Sequence, residues 1–447
     1  MKSRYVVEVS DQPGCYLLYN TANGAFVELE EEAFGLWSQD TCSGELESTL
    51  TQLGFLTNLS PEEELDRQRR LFDAERSDTK RLAFSFIPTY VCNFRCPYCY
   101  EQGHNGIKGK MDNRVMDAIM SFVQFKYEQD AFERLEVQWY GGDPSLALDE
   151  VAALSERLIT WADEHGVGYD AMMLTNANVI GEAEAQLIAD CRVSSVFLTI
   201  DGPEEIHNKR RVAANGSNSY ERTIEAARLF ASHGISLMAN MNTDKVNIVH
   251  YNDLREKLFA EEGIMLTTGK LNDYGHFFGE APFCKPEFDL FTHEDYFRAQ
   301  FDEFAKREHQ PSELREMWRP IRRFCNGQSN NYFNIDLLGD VYACDGWVGD
   351  KSYVKFNLFD DESTWKLHEI TFDATRNAKC QECELLPVCQ GNCIWERTCC
   401  GMPCHPFKTM GKDYLRIYRQ CFGDVELGED GVTVLAEPFA PEELGWA

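Results

Sequence analysis

Short runs of alternating apolar and polar residues open the chain, and from residue 81 onward apolar runs alternate with amphipathic stretches of helical period. Tyr5–Val9, Cys15–Asn20 and Ala25–Leu29 read as strands, with Asn23-Gly24 as the turn between the last two. Glu30–Trp37 and Glu45–Leu53 read as helices, the second stopping at Gly54. Residues 1–75 are thus expected to form a small module of their own. Apolar runs then recur at Leu82–Pro88, Leu135–Tyr140, Asp170–Leu174, Ser195–Ile200, Ile235–Met241 and Met265–Leu271. Helical patterns separate them, at Met111–Tyr127, Leu148–Glu164, Glu182–Cys191, Tyr220–Ser232 and Tyr251–Glu261. Such alternation predicts an α/β fold of parallel βα units, whose chemistry gathers at the C-terminal strand ends. Residues 276–324 read as a linker with aromatic and charged helical signals. A cysteine-rich domain spans 325–404, and a helical stretch, Lys408–Tyr418, leads into an acidic, Pro-containing tail. The chain shows no internal repeat and no low-complexity stretch.

Composition narrows the function classes. The 447 residues suffice for two or three domains. Net charge is −31, from 43 basic and 74 acidic residues, which argues against nucleic acid as the main partner. It favours solubility, and a basic peptide or reductant as partner. Met1–Asp11 lacks an apolar signal core, and no run of 18 apolar residues suggests a membrane span, so a cytoplasmic setting is expected. The 17 cysteines crowd the region beyond residue 325, and without a secretory signal this reads as metal binding rather than disulfides.

The most specific feature is Cys92-x3-Cys96-x2-Cys99, directly after a strand-like run. Three thiolates leave one iron of a 4Fe–4S cluster without a protein ligand, whereas clusters built for electron transfer normally take four cysteines. An open iron can bind a substrate or a second cofactor. With Tyr98 before the last cysteine, the motif resembles that of the radical S-adenosylmethionine (SAM) enzymes. The resemblance implies a partial (β/α)6 TIM barrel over residues 81–310, with SAM chelated to the open iron through its amino and carboxylate groups.

Further strand-end motifs carry the same resemblance. Gly141-Gly142-Asp143-Pro144 resembles the family's Gly-Gly-Glu-Pro segment, which binds the SAM amino group; its glycines would let backbone carbonyls approach a ligand closely. Asn176 follows the third strand and is a SAM-pocket candidate, with a helix N-cap as the plain alternative. Thr199-Ile200-Asp201-Gly202-Pro203 resembles the Ser-x-Asp-Gly-Pro signature, with Thr199 facing the SAM carboxylate or ribose. Arg211 could pair with that carboxylate or serve a structural ion pair, and His207 reads as a residue that orders the loop. Asn242 lies where relatives line the ribose side.

Beyond the barrel, Cys325-x13-Gly339-x4-Cys344, then Cys380-x2-Cys383-x5-Cys389-x3-Cys393, resembles the SPASM domain of peptide and protein maturases. That domain carries two auxiliary clusters, which would make three 4Fe–4S clusters in all. Resemblance assigns Cys325, Cys344 and Cys393 to the first, with Cys284, Cys399, Cys400 or an open iron completing it. The second takes Cys380, Cys383, Cys389 and Cys404, with Cys421 as the other choice. A zinc ribbon on the 380–393 quartet is the physical alternative. Cys15, Cys42 and Cys191 read as buried structural thiols. Asp345, next to Cys344, matches the position of a catalytic base in related sulfatase maturases, and a turn or supporting hydrogen bond is the alternative.

These motifs imply an oxidoreductase of the SPASM type, acting on a ribosomally made precursor peptide (RiPP maturation). SAM would be cleaved reductively to a 5′-deoxyadenosyl radical that takes hydrogen from the peptide, giving an intramolecular crosslink. Thioether is favoured, with carbon–carbon as the other bond. Residues 1–75 resemble the winged-helix-like recognition module (RRE) that holds a leader peptide. The cysteine-rich domain would span 311–410, and a C-terminal helix and tail 411–447. A flavodoxin- or ferredoxin-type protein would supply electrons, and neither nucleic acid nor membrane is expected as partner. The rival enzyme is an anaerobic sulfatase maturase making formylglycine. The rival non-enzyme is an Fe–S electron carrier or peptide-binding scaffold.

Overall fold

The computed structural model describes residues 1–12, 14–101, 107–272, 288–365, 372–399, 404–425 and 428–444. Its strands, in chain order, are β1 (Val6–Gln12), β2 (Cys15–Asn20), β3 (Phe26–Leu29), β4 (Arg81–Ile87), β5 (Arg134–Trp139), β6 (Gly168–Leu174), β7 (Val193–Thr199), β8 (Ser236–Thr243), β9 (Met265–Lys270), β10 (Tyr332–Asp336), β11 (Asp340–Tyr342), β12 (Phe356–Asn357) and β13 (Val432–Ala436). The chain divides into two units. One comprises Met1–Ser77, Gln300–Ser329 and Ile370–Ala447; the other comprises Asp78–Ala299 and Asn330–Glu369.

The second unit is built on a nine-stranded sheet in the order β12-β11-β10-β4-β5-β6-β7-β8-β9. Strands β4 to β9 run parallel, each joined to the next by a helical crossover such as Asn113–Asp130 or Leu148–His165. These are the parallel βα units that the alternation predicts, in the partial barrel that the resemblance implies. Strand β8 alternates half-buried and buried residues along its length, while β4 is buried on both faces, as a central parallel strand must be. Beyond the expected barrel, β10 adds in parallel to β4, pairing Asn334 with Ser85. Residues 330–369 therefore belong to the barrel unit, although they lie within the expected cysteine-rich domain.

The first unit departs further from the expected boundaries. Its sheet has the order β1-β2-β3-β13, so a strand from the acidic tail pairs antiparallel with β3. The two-residue period of the strands gives each face its own core. On one face Leu18, Val27 and Leu29 meet Trp37, Leu46 and Leu50 from the helices expected there, and Phe55 just after the second. On the other, Val9, Leu17, Tyr19 and Phe26 meet Trp318, Phe407, Tyr414 and Tyr418. The Tyr19 hydroxyl donates to the Trp318 carbonyl at 2.8 Å, and Trp318 stacks on Phe407 at 4.1 Å. Residues 1–75 are thus one half of a shared core, because an apolar sheet face must be covered. The helix Pro61–Arg76 was not anticipated; its signal is the capping box Ser60–Glu63 with Pro61 in the first turn.

Trp318 is fully buried between β2 and the helix Phe407–Gln420. Trp318→Ala should cost about 3–5 kcal/mol, by cavity formation and lost stacking. Hydrogen exchange is expected to show lost protection in β1–β3 as well as around residue 318. Loss confined to Pro311–Met317 would contradict the shared core.

Candidate active site

The chain leaves the buried strand β4 at Ile87 and reaches Cys92, Cys96 and Cys99 within one loop. Backbone contacts on two sides hold that loop. On one side Phe94 forms a bridge with Ala213, and Arg95 N donates to the Val212 carbonyl at 2.7 Å. On the other, Gly142 N donates to the Thr89 carbonyl at 3.1 Å and Asp143 N to the Val91 carbonyl at 3.0 Å. The approach is so close that a Cβ on Gly142 would lie 2.4 Å from the Tyr90 carbonyl oxygen. Gly141, at φ +117°, would carry one 2.6 Å from the Thr89 carbonyl. The double glycine is thus required by the cysteine loop's own backbone.

The three cysteines open on a cavity of 260 Å³ at the C-terminal ends of the parallel strands. Of the residues singled out for SAM, all but Pro144 line it; Pro144 is buried at the start of a short turn behind it. Burial pushes the Cys92 thiol up to about 12, with the Asp143 charge adding to it, and burial raises Cys96 and Cys99 as well. Thiols so placed need a bound cation to ionise, which suits iron ligands.

Arg211 stands beside this triad, its Nη1 3.5 Å from the Cys96 sulfur and its guanidinium over the Phe94 ring at 5.3 Å. Burial opposes its charge, but Cys96, Tyr98 and Asp201 together hold it firmly protonated. Its Nε is buried with no hydrogen-bond partner among the described residues. A buried, half-satisfied guanidinium lining a cavity fits an anionic ligand group. The structural ion pair belongs instead to Arg210, which meets Asp244 at 3.0 Å and Asp201 at 3.8 Å.

Behind the cavity wall the strand ends are tied by buried polar groups. Asp201, fully buried, receives the Tyr98 hydroxyl, and it accepts from Asn242 N at 2.9 Å. The Asn242 amide donates to the Tyr98 oxygen at 3.3 Å. His207 accepts from Asp201 N at 3.3 Å; burial and the Arg211 charge keep its ring neutral, so it orders the loop as expected. Asn176 donates to Asn93 at 2.7 Å and approaches the Cys92 sulfur at 3.7 Å. The next residue, Ala177, sits at φ +58°, a conformation in which glycine is unstrained.

Asp143 lines the cavity and also ties its wall together. Its carboxylate accepts from Ser145 N, Thr175 Oγ1 and Asn176 N at 2.9, 2.8 and 2.8 Å, tying the ends of β5 and β6 together. Sequence reasoning passed over Glu101, whose side chain lines the same cavity. Burial raises its carboxyl to about 8, with Asp143 and Asp345 adding to the effect.

Asp345 lies over one row of the sheet, set by the pairing of Asn334 with Ser85 and of Ser85 with Gln138. It accepts from the Tyr332 hydroxyl at 2.8 Å and from Gln138 Nε2 at 3.2 Å. Burial raises its carboxyl against these donors.

Residues 86–256 match the family model of the radical SAM superfamily. That stretch is a radical SAM domain. The chain is similar to the cysteine-type anaerobic sulfatase-maturating enzyme of Clostridium perfringens, at 24% identity over 68% of this chain and 85% of the relative. The serine-type counterpart from Bacteroides thetaiotaomicron is 22% identical over 70% of this chain and 83% of its own. A solved structure, native anSMEcpe with bound AdoMet and Cp18Cys peptide, superposes with a TM-score of 0.57 at 19% identity, covering 76% of this chain and 99% of the other. The shared fold is that of the radical SAM partial barrel.

Outside that barrel, the described cysteines of the first unit fall into groups. Cys380, Cys383 and Cys404 lie within one another's electrostatic reach, and Cys389 within that of Cys380 and Cys383. Cys393 is likewise coupled to Cys325, while Cys344 lies in the barrel unit. Cys421 bonds its own helix at the Ile417 carbonyl, 3.2 Å away, and packs against the apolar core. Among the described residues no three Cys, His, Asp or Glu converge on a single-ion site; cysteines of a cubane each bind a different iron. Cys284 and Cys400 lie outside the described residues, as does the Cys15 side chain. Cys191 is buried as expected, and Cys42 is only partly so. Among the described residues no helix is long and apolar enough to cross a membrane.

Gly142→Ala is expected to displace the cysteine loop, lowering both bound iron and SAM cleavage at least about tenfold while the rest of the barrel stays folded. Iron analysis and circular dichroism check this together. Cys404→Ala is expected to remove one cluster's worth of iron, and Cys421→Ala to leave iron content unchanged.

Proposed function

We propose that this enzyme matures a ribosomally made peptide, installing an intramolecular crosslink on it. The observation that carries the reading is the single cavity in which the cysteine triad, the strand-end polar groups and an unsatisfied arginine meet. When bound, the cluster and SAM supply reductive cleavage of SAM and hydrogen abstraction from an unactivated C–H bond. The protein holds SAM through the residues above, with Arg211 taking the carboxylate and Asn242, Tyr98 and Thr199 the ribose side. The walls exclude water, so that one C–H bond of the peptide is the only partner in reach. Asp345 stands as the base that takes a proton from the peptide.

Support for a peptide substrate comes from the relatives, whose names describe maturation of sulfatases, and from the solved structure holding a Cp18Cys peptide. The leader would add as a strand to an open edge of the four-stranded sheet. The edge strands of that sheet are β1 and β13. Cys380, Cys383, Cys389 and Cys404 would hold an auxiliary cluster, and a flavodoxin- or ferredoxin-type protein would deliver electrons. Thioether is the preferred bond, because the cysteines at 325, 344 and 393 have no obvious fourth partner in the sequence. A second reading, formylglycine formation on a sulfatase, is favoured by the relatives' names and by the placement of Asp345 over the sheet.

Anaerobic reconstitution with dithionite, SAM and the peptide encoded beside this gene distinguishes them. Crosslinking predicts 5′-deoxyadenosine together with loss of two hydrogens per modified site, located by fragmentation. Turnover of a short sulfatase-type peptide, with the neighbouring peptide left unchanged, would favour the second reading. Absence of 5′-deoxyadenosine in every mixture would refute both.

A further inference from the structure

We propose that a polar cavity in the N-terminal part of the first unit binds a basic side chain, lysine or arginine, of the precursor peptide. The inference rests on the peptide-maturation reading and adds a place where one residue of that peptide is read.

This second cavity, of 310 Å³, is walled wholly by residues of Met1–Ser77. Asn20 and Asn23 in its wall are already engaged. Asn20 donates to the Gly54 carbonyl at 2.7 Å and accepts from Ala22 N at 2.9 Å. Asn23 donates to the Leu53 carbonyl and accepts from Ala25 N, both at 2.9 Å. Glu64 and Gln68 are different. They stand one turn apart on the helix Pro61–Arg76, both line the cavity, and they are only 8% and 4% exposed. Among the described residues Gln68 has no hydrogen-bond partner.

The Glu64 carboxylate is held by neutral donors alone. It accepts from Ser3 Oγ at 2.6 Å and from Arg4 N at 2.9 Å, and among the described residues it makes no ion pair. Glutamate is almost never buried so deeply without a paired cation. Neither arginine nearby supplies one. Arg4 turns its guanidinium to the Pro61 and Gln381 carbonyls. Arg67 lines the cavity but is exposed, and among the described residues it pairs with no carboxylate.

A buried carboxylate with lone pairs to spare and a free amide one turn away suit an ammonium or guanidinium, which carries several donors and no acceptor. The net charge of −31 adds long-range attraction for a basic peptide. Ser3 and Tyr5 in the cavity wall lead directly into β1, an edge strand of the four-stranded sheet. A peptide strand added to β1 would reach the cavity at one end of its run.

The test is fluorescence anisotropy of the labelled precursor peptide encoded beside this gene, titrated with the full-length reconstituted enzyme. Glu64→Gln should weaken binding about ten- to hundredfold, the range for a lost charge-assisted bond, and Gln68→Leu should weaken it less. Peptides with single lysines or arginines replaced by glutamine complete the cycle. One such peptide should bind the wild type weakly, yet bind Glu64→Gln as well as the unaltered peptide does. Gln68→Leu repeats the cycle with the Ser3 and Arg4 bonds intact, so the outcome does not hang on the folding of Glu64→Gln. Arg67→Gln should bind at least as tightly as the wild type. Unchanged affinity in Glu64→Gln with a lowered melting temperature would make Glu64 a structural brace and overturn the proposal. Additivity with every basic replacement would overturn it too, as would loss of binding in Arg67→Gln alone. Absence of peptide binding by the wild type would overturn the peptide-maturation reading itself, and the pocket's role with it.

Discussion

Backbone-to-backbone contact between the cysteine loop and the Gly141-Gly142 segment is the constraint on which the site depends. A cluster loop must present three thiols from a stretch of eight residues with no regular structure of its own. Its geometry is imposed from outside, by the end of β5 on one side and the Phe94–Ala213 bridge on the other. A Cβ on Gly142 would come within 2.4 Å of the Tyr90 oxygen, inside any tolerable contact. Asp143 then carries the constraint sideways, since its carboxylate bonds the start of the loop after β6. The strand ends, the cysteines and the cavity wall are one mechanically continuous piece.

The same economy explains why so many polar groups lie buried there. Asp201, Arg210 and Asp244 form an ion-paired set at the ends of β7 and β8, with Asn247 donating to the Asp201 and Asn242 carbonyls at 2.9 Å. Such sets contribute little net stability, because desolvation offsets most of the attraction. They do specify where each strand end stops. A site built on parallel strand ends has no ladder bonds left to fix it, so side chains supply the order.

Much of this was legible along the chain. The six parallel strands and their crossovers announce themselves because each element carries its own period, and adjacent strands follow in sequence. The cysteine triad and the strand-end motifs are local, so their residues meet wherever a barrel forms. His207 as a loop-ordering residue was legible for the same reason. Glu101 was not, because nothing distinguishes it in sequence from any other acid after a cysteine. Its place in the cavity wall depends on which strand ends meet, which only spatial neighbours reveal. β13 was missed because five residues in an acidic tail carry a β signal too short to stand alone.

By itself, then, the sequence determined the element types, the parallel βα units and the spacing of the triad, since these follow from local period, and the resemblance its motifs carry implied the partial barrel. Tertiary structure decided the domain boundaries, the partner of β3, and the covering of the β1–β3 sheet by Trp318 and Tyr418. Each of these depends on which surfaces meet across hundreds of residues. An apolar face encodes that it must be covered, without encoding by what.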